Sequence, residues 1–481
     1  MHYRKTEMWR SIDWFTILLY VIMIVAGWLS ICGASYEFEN VGMFDLAGRP
    51  GSQLLWMGLS VILIFIILML ESDFYDVFAY VIYAAIILLL IVTIFVAPDI
   101  KGSRSWLVLG PIRLQPAEFA KFATALAVAK YMNGYGFKLN TIKNFSVTVL
   151  LFILPMICIF LQKEAGSALV YLAFFLVLYR EGMSGYILLS GFCAVLFFVT
   201  GIKYSEDIIG ITPLGELIVT SLILLITVGL VGLVRRDKPT VIVLLGGIAI
   251  AFLAGYITSL FIPVNFVYVS LGAIGFMTLY LIIVSLKKWV WHYVLIAIFA
   301  LLSVGFLYSV DYVFDEILEP HQQIRIKVSL GMEDDPSGAG YNVNQSKIAI
   351  GSGGLTGKGF LNGTQTKLKY VPEQDTDFIF CTVGEEQGFV GASAVLVLFA
   401  IFILRLIALA ERQKNTFSRV YGYSVASIFL FHVTINVGMV LGITPVIGIP
   451  LPFFSYGGSS LWGFTILLFI FLRLDAARKE F

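Results

Sequence analysis

Residues 77–96 read VFAYVIYAAIILLLIVTIFV, a run of twenty residues without a charged side chain. An α-helix needs about 20 apolar residues to cross the roughly 30 Å hydrocarbon core of a bilayer. The run is continuous and does not alternate between polar and apolar residues, as the strands of a membrane β-barrel do. It therefore predicts a membrane-spanning helix in the block 76–96, and it sets the pattern to look for elsewhere in the chain.

Similar apolar blocks recur along the 481 residues, of which 59% are hydrophobic and only 13% are charged. Soluble domains carry about 25% charged residues, so the composition excludes a water-soluble globule. A net charge of +1 lacks the basic excess that is typical of nucleic-acid binding. The sequence predicts an all-α polytopic membrane protein with about fourteen transmembrane helices, in blocks 14–32, 53–70, 76–96, 118–132, 145–162, 166–180, 185–201, 214–234, 239–260, 262–286, 290–310, 378–404, 420–443 and 457–472.

The distribution of Lys and Arg predicts which loops are cytoplasmic, because basic residues concentrate on that side of the membrane. With the N-terminus inside, 18 of the 32 basic residues fall in inside turns. The even number of spans then places both termini in the cytoplasm. Two outside segments, 97–117 and 311–377, carry basic residues against this rule. These residues serve either an anionic substrate or a solvated loop, and topology alone favours neither.

The segment 311–377 is the only long polar stretch and is expected to be extracytoplasmic. Loops of this length are usually functional. Glu333, Asp334 and Asp335 stand together in it before Pro336, and neighbouring carboxylates raise one another's pKa, which suits a proton acceptor near neutral pH. The residues alone leave three uses open: a general base, a solvated acidic turn, or ligands for Mg²⁺ or Ca²⁺.

A second group of candidates stands near the start of the fourth block, 118–132. Trp106 is explained either by a binding role or by anchoring at the membrane interface. Glu118 and Lys121 lie one helical turn apart and are placed to pair with each other. Ionisable groups inside a span are nevertheless functional candidates by default.

A series of motifs resembles the SEDS family (shape, elongation, division and sporulation), the RodA/FtsW peptidoglycan polymerases. The resemblance covers most of the chain in family order and leaves out roughly 203–310. The wording IAIGSGG is similar to the elongation branch, RodA. The matching stretches are GSRSW at 102–106, LGPIRLQPAEFAK at 109–121, DPSGAGY at 335–341, QSKIAIGSGG at 345–354, GKG at 357–359, GTQ at 363–365, PE at 372–373, TDFIF at 376–380, GEE at 384–386 and PVIGIPLPFFSYGGSS at 445–460.

The resemblance implies a glycosyltransferase of the hexosyltransferase class in the bacterial inner membrane. It would polymerise lipid II into glycan strands during cell-wall elongation, with inversion at MurNAc C1 and release of undecaprenyl diphosphate. Asp335 matches the family's essential loop Asp and is similar to a general base. The substrate-binding residues that the resemblance implies are Trp106, Arg113, Glu118, Lys121, Lys358 and Lys367.

The same resemblance implies the partners and the cofactors. The partners are lipid II, membrane lipid and a class B penicillin-binding protein, the family's usual transpeptidase, and no nucleic acid is expected. No residue is assigned as a metal ligand. No cofactor is certain, and a divalent cation such as Mg²⁺ stays open.

The resemblance implies ten spans, so the count of fourteen predicts four additional ones. We therefore expect SEDS-like N-terminal helices in 1–202, additional membrane helices in 203–310, the catalytic loop in 311–377 and C-terminal membrane helices in 378–481. Four is an even number, so the predicted catalytic loop still lies outside the cell.

Two other functions compete with the polymerase. A lipid II flippase should place ionisable residues at the middle of the membrane on internally repeated helices, and no repeat is evident. A non-catalytic scaffold of the cell-wall synthesis complex predicts that Asp335 is dispensable.

Overall fold

Helices account for nearly all regular structure in the computed structural model. It describes residues 8–35, 44–46, 48–100, 102–110, 112–312, 314, 316, 318, 320–333 and 340–479. This part of the chain forms two compact units, the first from Met1–Ser184 with Gly340–Phe481 and the second from Gly185–Ala339. Two short hairpins are its only sheets. The predicted all-α polytopic class is confirmed.

The first unit consists of helices from both ends of the chain. Pro50 and Pro116 stand in the first turns of two of them, where a missing N–H costs no helical hydrogen bond. The helices are α1 (Met8–Ser11), α2 (Trp14–Ser35), α3 (Arg49–Met69), α4 (Ser72–Val96), α5 (Pro116–Met132), α6 (Ile142–Leu161), α7 (Ala165–Leu169), α8 (Phe174–Arg180), and, after the second unit, α15 (Tyr341–Ser352), α16 (Thr364–Lys367), α17 (Ile379–Glu411), α18 (Thr416–Val440) and α19 (Gly458–Ala476).

The second unit is a group of apolar helices packed around Val219, Ile223, Met277 and Leu281. Asn265 caps one of them, its side chain accepting a hydrogen bond from Val267 N at 2.9 Å. The helices are α9 (Gly185–Lys203), α10 (Leu214–Arg235), α11 (Lys238–Ser259), α12 (Phe266–Lys288), α13 (His292–Tyr312) and α14 (Pro320–Ser329). A hairpin of β3 (Ile208–Ile209) and β4 (Thr212–Pro213) joins α9 to α10.

Twelve helices in the described residues are long and apolar enough to cross a membrane. They correspond to twelve of the fourteen predicted blocks. The block 118–132 is helix α5, which has 17 residues, and the block 166–180 lies in the shorter apolar segment Ala165–Arg180. That segment is interrupted by a 3-10 turn at Val170–Ala173. The total of fourteen spans, and of four additional ones, stays a prediction.

The predicted loop 311–377 is partly helical, since it contains α14, α15 and α16. The boundary between the two compact units falls within it, at residues 339 and 340. The predicted limits of the sequence segments therefore stay predictions.

Gly388 bends the long helix α17. Its backbone has φ +66° and ψ −164°, and a Cβ there would lie 2.3 Å from Gly357 N, so both conformation and space require glycine. Because of the bend, the N–H of Phe389 points away from the helix and donates a hydrogen bond to Gly354 O at 2.9 Å. The polar segment after α15 thus completes the hydrogen bonding of the bent helix.

Candidate functional site

A buried ammonium group lies inside the first unit. The Lys121 side chain is 3% exposed. Its Nζ lies 2.6 Å from Glu118 Oε2 and 3.1 Å from His432 Nε2, and 4.4 Å from the centroid of the Phe464 ring. We call these four residues the lysine cage. Its carboxylate, imidazole and aromatic face are three kinds of group that stabilise a buried cation.

The cage fixes the tautomer of His432. The Nδ1 of this ring lies 3.1 Å from Pro450 O, and a carbonyl oxygen only accepts hydrogen bonds, so Nδ1 carries the proton. A Lys ammonium only donates, so Nε2 is the unprotonated acceptor that faces Lys121. His432 therefore connects Lys121 to the segment that follows α18.

Local structure brings the members of the cage together. Glu118 and Lys121 occupy the first two turns of α5, three residues apart, and so lie on one face. Helix α19 approaches that face closely because residue 463 is glycine: a Cβ on Gly463 would lie 3.0 Å from Glu118 O. Helix α18 supplies His432 from a position 311 residues along the chain.

Glu164 lies beside this end of α5, at the junction of α6 and α7. Its Oε1 accepts hydrogen bonds from Gln115 Nε2 at 2.8 Å and from Ser167 Oγ at 3.4 Å. Burial is the largest effect on its carboxyl group and raises the pKa of Glu164, while the hydrogen bonds from Ser105, Ser167 and Gln115 act in the opposite direction. The charge of Glu118 raises the pKa further.

Arg113 lies in a hairpin formed by β1 (Leu107–Leu109) and β2 (Ile112–Leu114), just before α5. The Ser459 hydroxyl holds this hairpin in place, because it donates to Arg113 O at 3.1 Å and accepts from Gln115 N at 3.2 Å. The Arg113 side chain is exposed and makes no ion pair within the part of the chain that the structure describes. Trp106, directly before β1, is half-buried.

Lys358 and Lys367 lie near a second buried carboxylate, Glu385 of α17. The Glu385 Oε1 accepts from Lys358 Nζ at 2.7 Å and from Gln365 N at 2.9 Å, and Oε2 accepts from Thr366 N at 2.9 Å. The contact between Lys358 and Glu385 therefore attaches the segment after α15 to helix α17. Lys367, at the end of α16, is half-buried.

Asp335 lies outside the described residues, as does Asp334. Glu333 is the only member of the acidic cluster for which the structure gives a position. Within the described ranges, no group of three or more His, Cys, Asp or Glu residues is placed to hold a metal ion. The expectation of a divalent cation, which concerned this cluster, therefore stays a prediction.

The structure brings Glu118 and Lys121 into direct contact and places Arg113 on the hairpin that precedes them. It places Lys358 and Lys367 in a separate group around Glu385. The sequence analysis assigned no role to His432. The signal was present, because a His inside an apolar span is a functional candidate by default.

Comparison with known families identifies one that covers most of the chain. The sequence model of the FtsW/RodA/SpoVE family, described as cell cycle proteins, matches residues 12–211 and 269–480. These ranges include the lysine cage, Glu164, the β1–β2 hairpin and Glu385. The unmatched residues 212–268 contain α10 and α11.

Individual relatives match along nearly their whole length. The peptidoglycan glycosyltransferase RodA of Treponema pallidum (strain Nichols) is 31% identical over 97% of this chain and 99% of that protein. The peptidoglycan glycosyltransferase MrdB of Escherichia coli (strain K12) is 27% identical over 95% of this chain and 92% of that protein. A chain from the solved structure of a peptidoglycan synthase complex, which coordinates polymerization and crosslinking, has a similar fold, with a TM-score of 0.63 at 23% identity over 98% of this chain and 99% of its own length.

Proposed function

The chain belongs to the FtsW/RodA/SpoVE family, and on that premise we propose that it joins lipid II units into glycan strands. It is a multi-pass membrane protein and a peptidoglycan glycosyltransferase of cell-wall elongation. The observation that carries the proposal is the similarity to the RodA glycosyltransferase over 97% of this chain and 99% of that protein.

The proposed reaction needs one base and one site for developing negative charge. The GlcNAc 4-hydroxyl of one lipid II attacks MurNAc C1 of the other chain, on the face opposite the diphosphate. A C–O bond forms there, the bond from C1 to the diphosphate oxygen breaks with its electron pair, and the α-linkage is inverted to β. The hydroxyl proton passes to the carboxylate of Asp335. A positioned base of this kind contributes about 10²- to 10⁴-fold to a rate.

Arg113 is the cation that best fits the departing diphosphate. It is exposed and has no carboxylate partner in the described residues, so it can bind an anion without first breaking an ion pair. Its planar guanidinium suits two oxygens of a phosphate group. Trp106, at the start of the same hairpin, is proposed to line the cavity beside it.

Lys121 and Glu118 are proposed to act from beneath the hairpin. A diphosphate that contacts Lys121 directly must displace one of the partners in the lysine cage, and breaking a buried ion pair is costly. The cage therefore supports a positioning role for Lys121, in which it holds α5 and the hairpin in place for Arg113. The ion pair of Lys358 with Glu385 likewise supports bracing more than anion binding, while Lys367 stays a candidate for the anion.

The partners and the location follow from the same proposal. A class B penicillin-binding protein would crosslink the strands that this chain polymerises, and the structurally similar synthase complex supports such a pairing. We place the chain in the bacterial inner membrane with both termini in the cytoplasm and segment 311–377 outside. The distribution of Lys and Arg supports this orientation.

A polymerisation assay tests the function and its alternatives together. The purified chain receives lipid II with and without the penicillin-binding protein, and the product is measured as glycan polymer. We expect D335N to lose about 10²-fold or more of the activity, and D334N, the same substitution one residue away, to keep most of it. Full activity of D335N removes Asp335 as the base. Lipid scrambling without polymer indicates the flippase, and the absence of both activities, with binding of the penicillin-binding protein intact, indicates the scaffold.

The same assay tests the divalent cation. EDTA is added to remove metal ions, and Mg²⁺ is then restored. Activity that disappears and returns supports a Mg²⁺ requirement, whereas unchanged activity excludes one.

A further inference from the structure

One end of the second unit concentrates basic and aromatic side chains. They belong to the turn between α10 and α11 and to the turn between α12 and α13. We call these two turns, residues 235–238 and 287–292, the basic end. Its basic and aromatic side chains include Arg236, Lys238, Lys287, Lys288, Trp289, Trp291 and His292.

Asp237 joins the two turns into one surface. It accepts hydrogen bonds from Tyr293 Oη at 2.6 Å and from Thr240 Oγ1 at 2.7 Å, and it forms an ion pair with Lys288. The hydrogen bond from Lys288 is the largest effect that lowers the pKa of Asp237, and those from Tyr293 and Thr240 add to it. The only carboxylate at the basic end is therefore already neutralised by Lys288.

Three cations are left without a partner after this pairing. Arg236, Lys238 and Lys287 are exposed and form no ion pair within the described residues. The other end of α10 carries both signs of charge, since the exposed Glu206 and Asp207 lie there with Lys203, and Lys327 pairs with Glu206. The uncompensated positive charge therefore belongs to one end of the unit and is not a general property of its surface.

Two side chains of the basic end stand at backbone positions that favour glycine, which indicates that the side chains themselves have a function. Helices α10 and α12 both end on a left-handed residue, Arg236 with φ +51° and Trp289 with φ +53°. Glycine fits this cap best, because a Cβ crowds the backbone there. Trp289 and Trp291 are 88% and 75% exposed, and Trp is favoured where a membrane-spanning helix meets the lipid headgroups.

We propose that the basic end binds the headgroup of an anionic membrane phospholipid. Arg236, Lys238 and Lys287 donate hydrogen bonds to its phosphate oxygens, and the two tryptophan rings lie at the level of the headgroup and glycerol. The charge complementarity and the position at the ends of four apolar helices both favour a lipid over a soluble anion. The site does not depend on the polymerisation activity.

Fluorescence quenching in reconstituted vesicles tests the proposal. The full-length chain is placed in phosphatidylcholine vesicles that contain either brominated phosphatidylglycerol or brominated phosphatidylcholine at the same fraction. The difference between the wild type and W289F/W291F isolates the two tryptophans. We expect the anionic lipid to quench them at least about threefold more than the neutral lipid, because each basic residue near a membrane surface strengthens anionic-lipid binding about fivefold.

Two matched triple variants identify the cause. R236Q/K238Q/K287Q should reduce the quenching ratio to about one, and about 0.5 M salt should reduce it in the wild type through screening. K138Q/K143Q/K414Q removes three exposed lysines of the first unit and should keep the wild-type ratio. A wild-type ratio near one, or equal ratios in the two triple variants, overturns the proposal. If the first triple variant fails to fold, K287Q alone and the salt titration make the same test.

Discussion

The two compact units place their charged residues differently. Helices of the first unit bury Glu118, Lys121, His432 and Glu385. In the described part of the second unit, the buried polar residues are hydroxyls only: Thr212, Thr220, Thr227, Thr240, Ser270, Thr278, Ser285 and Ser303. Burying an ionisable group costs free energy that a hydroxyl bonded to its own helix does not. The difference indicates that the first unit holds the buried ionisable groups of the candidate site, whereas the buried polar groups in the described part of the second unit are neutral.

The largest effect should come from the lysine cage. K121M leaves Glu118 as an unpaired buried charge, which costs about 3–5 kcal/mol of unfolding free energy. Polymerisation of lipid II should fall at least about 10²-fold, as expected when a group that stabilises developing charge is lost or misplaced. Unfolding in denaturant and the polymerisation assay measure the two effects.

The double variant E118Q/K121M separates stability from catalysis. It removes both charges, so most of the unfolding free energy should return, while polymerisation should stay low. Recovery of both quantities would show that the cage serves folding alone, and would end the contrast between the units.

A smaller effect is expected at His432. H432A leaves one N–H of Lys121 without an acceptor, at a cost of about 1–3 kcal/mol. Polymerisation should fall about tenfold, because a free-energy loss of this size in the positioning of Lys121 corresponds to about a factor of ten in rate. H432Q offers a carbonyl oxygen as acceptor and should recover most of the loss. Equal activity of H432A and H432Q would contradict a positioning role, because only one of them restores the acceptor.

Glu164 should make stability depend on pH. Burial raises its pKa above the ordinary 4.5, so the folded state binds more protons than the unfolded state between these two values. This contribution is complete below pH 4.5 and is lost as the pH rises through the raised pKa. E164Q does not titrate, so the fall in Tm with rising pH should be shallower than in the wild type. Parallel Tm profiles would contradict the assignment.

The smallest effect is expected in the second unit. Thr227 donates to Ile223 O of its own helix at 2.7 Å, and this carbonyl retains its helical partner in T227V. The variant should lose less than about 1 kcal/mol of unfolding free energy. Polymerisation should match the wild type. A loss as large as that of H432A would show that this buried hydroxyl also supports the chemistry.

Local patterns predicted the helices well. The charge-free run within α4 is a case in which length and apolarity alone determine the structure. They were less informative for α5, which contains Glu118, Lys121 and Lys130, and for Ala165–Arg180. There the structure contains helices too short to be identified as spans by length.

Contacts between distant residues could not be predicted in this way. Glu118 and Lys121 were predicted to pair because they lie one turn apart, but His432 reaches Lys121 from 311 residues away. Lys358 was predicted to bind an anion, and no local pattern indicates that Glu385 neutralises it. These pairings depend on how the helices pack, which a single sequence does not encode locally.

The bend at Gly388 also determines the length of the part of α17 that can cross the bilayer. The 33 residues of this helix would measure about 50 Å if straight, well beyond the roughly 30 Å of hydrocarbon. The part after the bend is about 35 Å long, close to the thickness that must be crossed. Because the polar segment is hydrogen-bonded at the bend, α17 cannot slide past that segment. Gly388 therefore keeps Glu385 and Glu386 beside the polar segment and leaves a helix of membrane length after them.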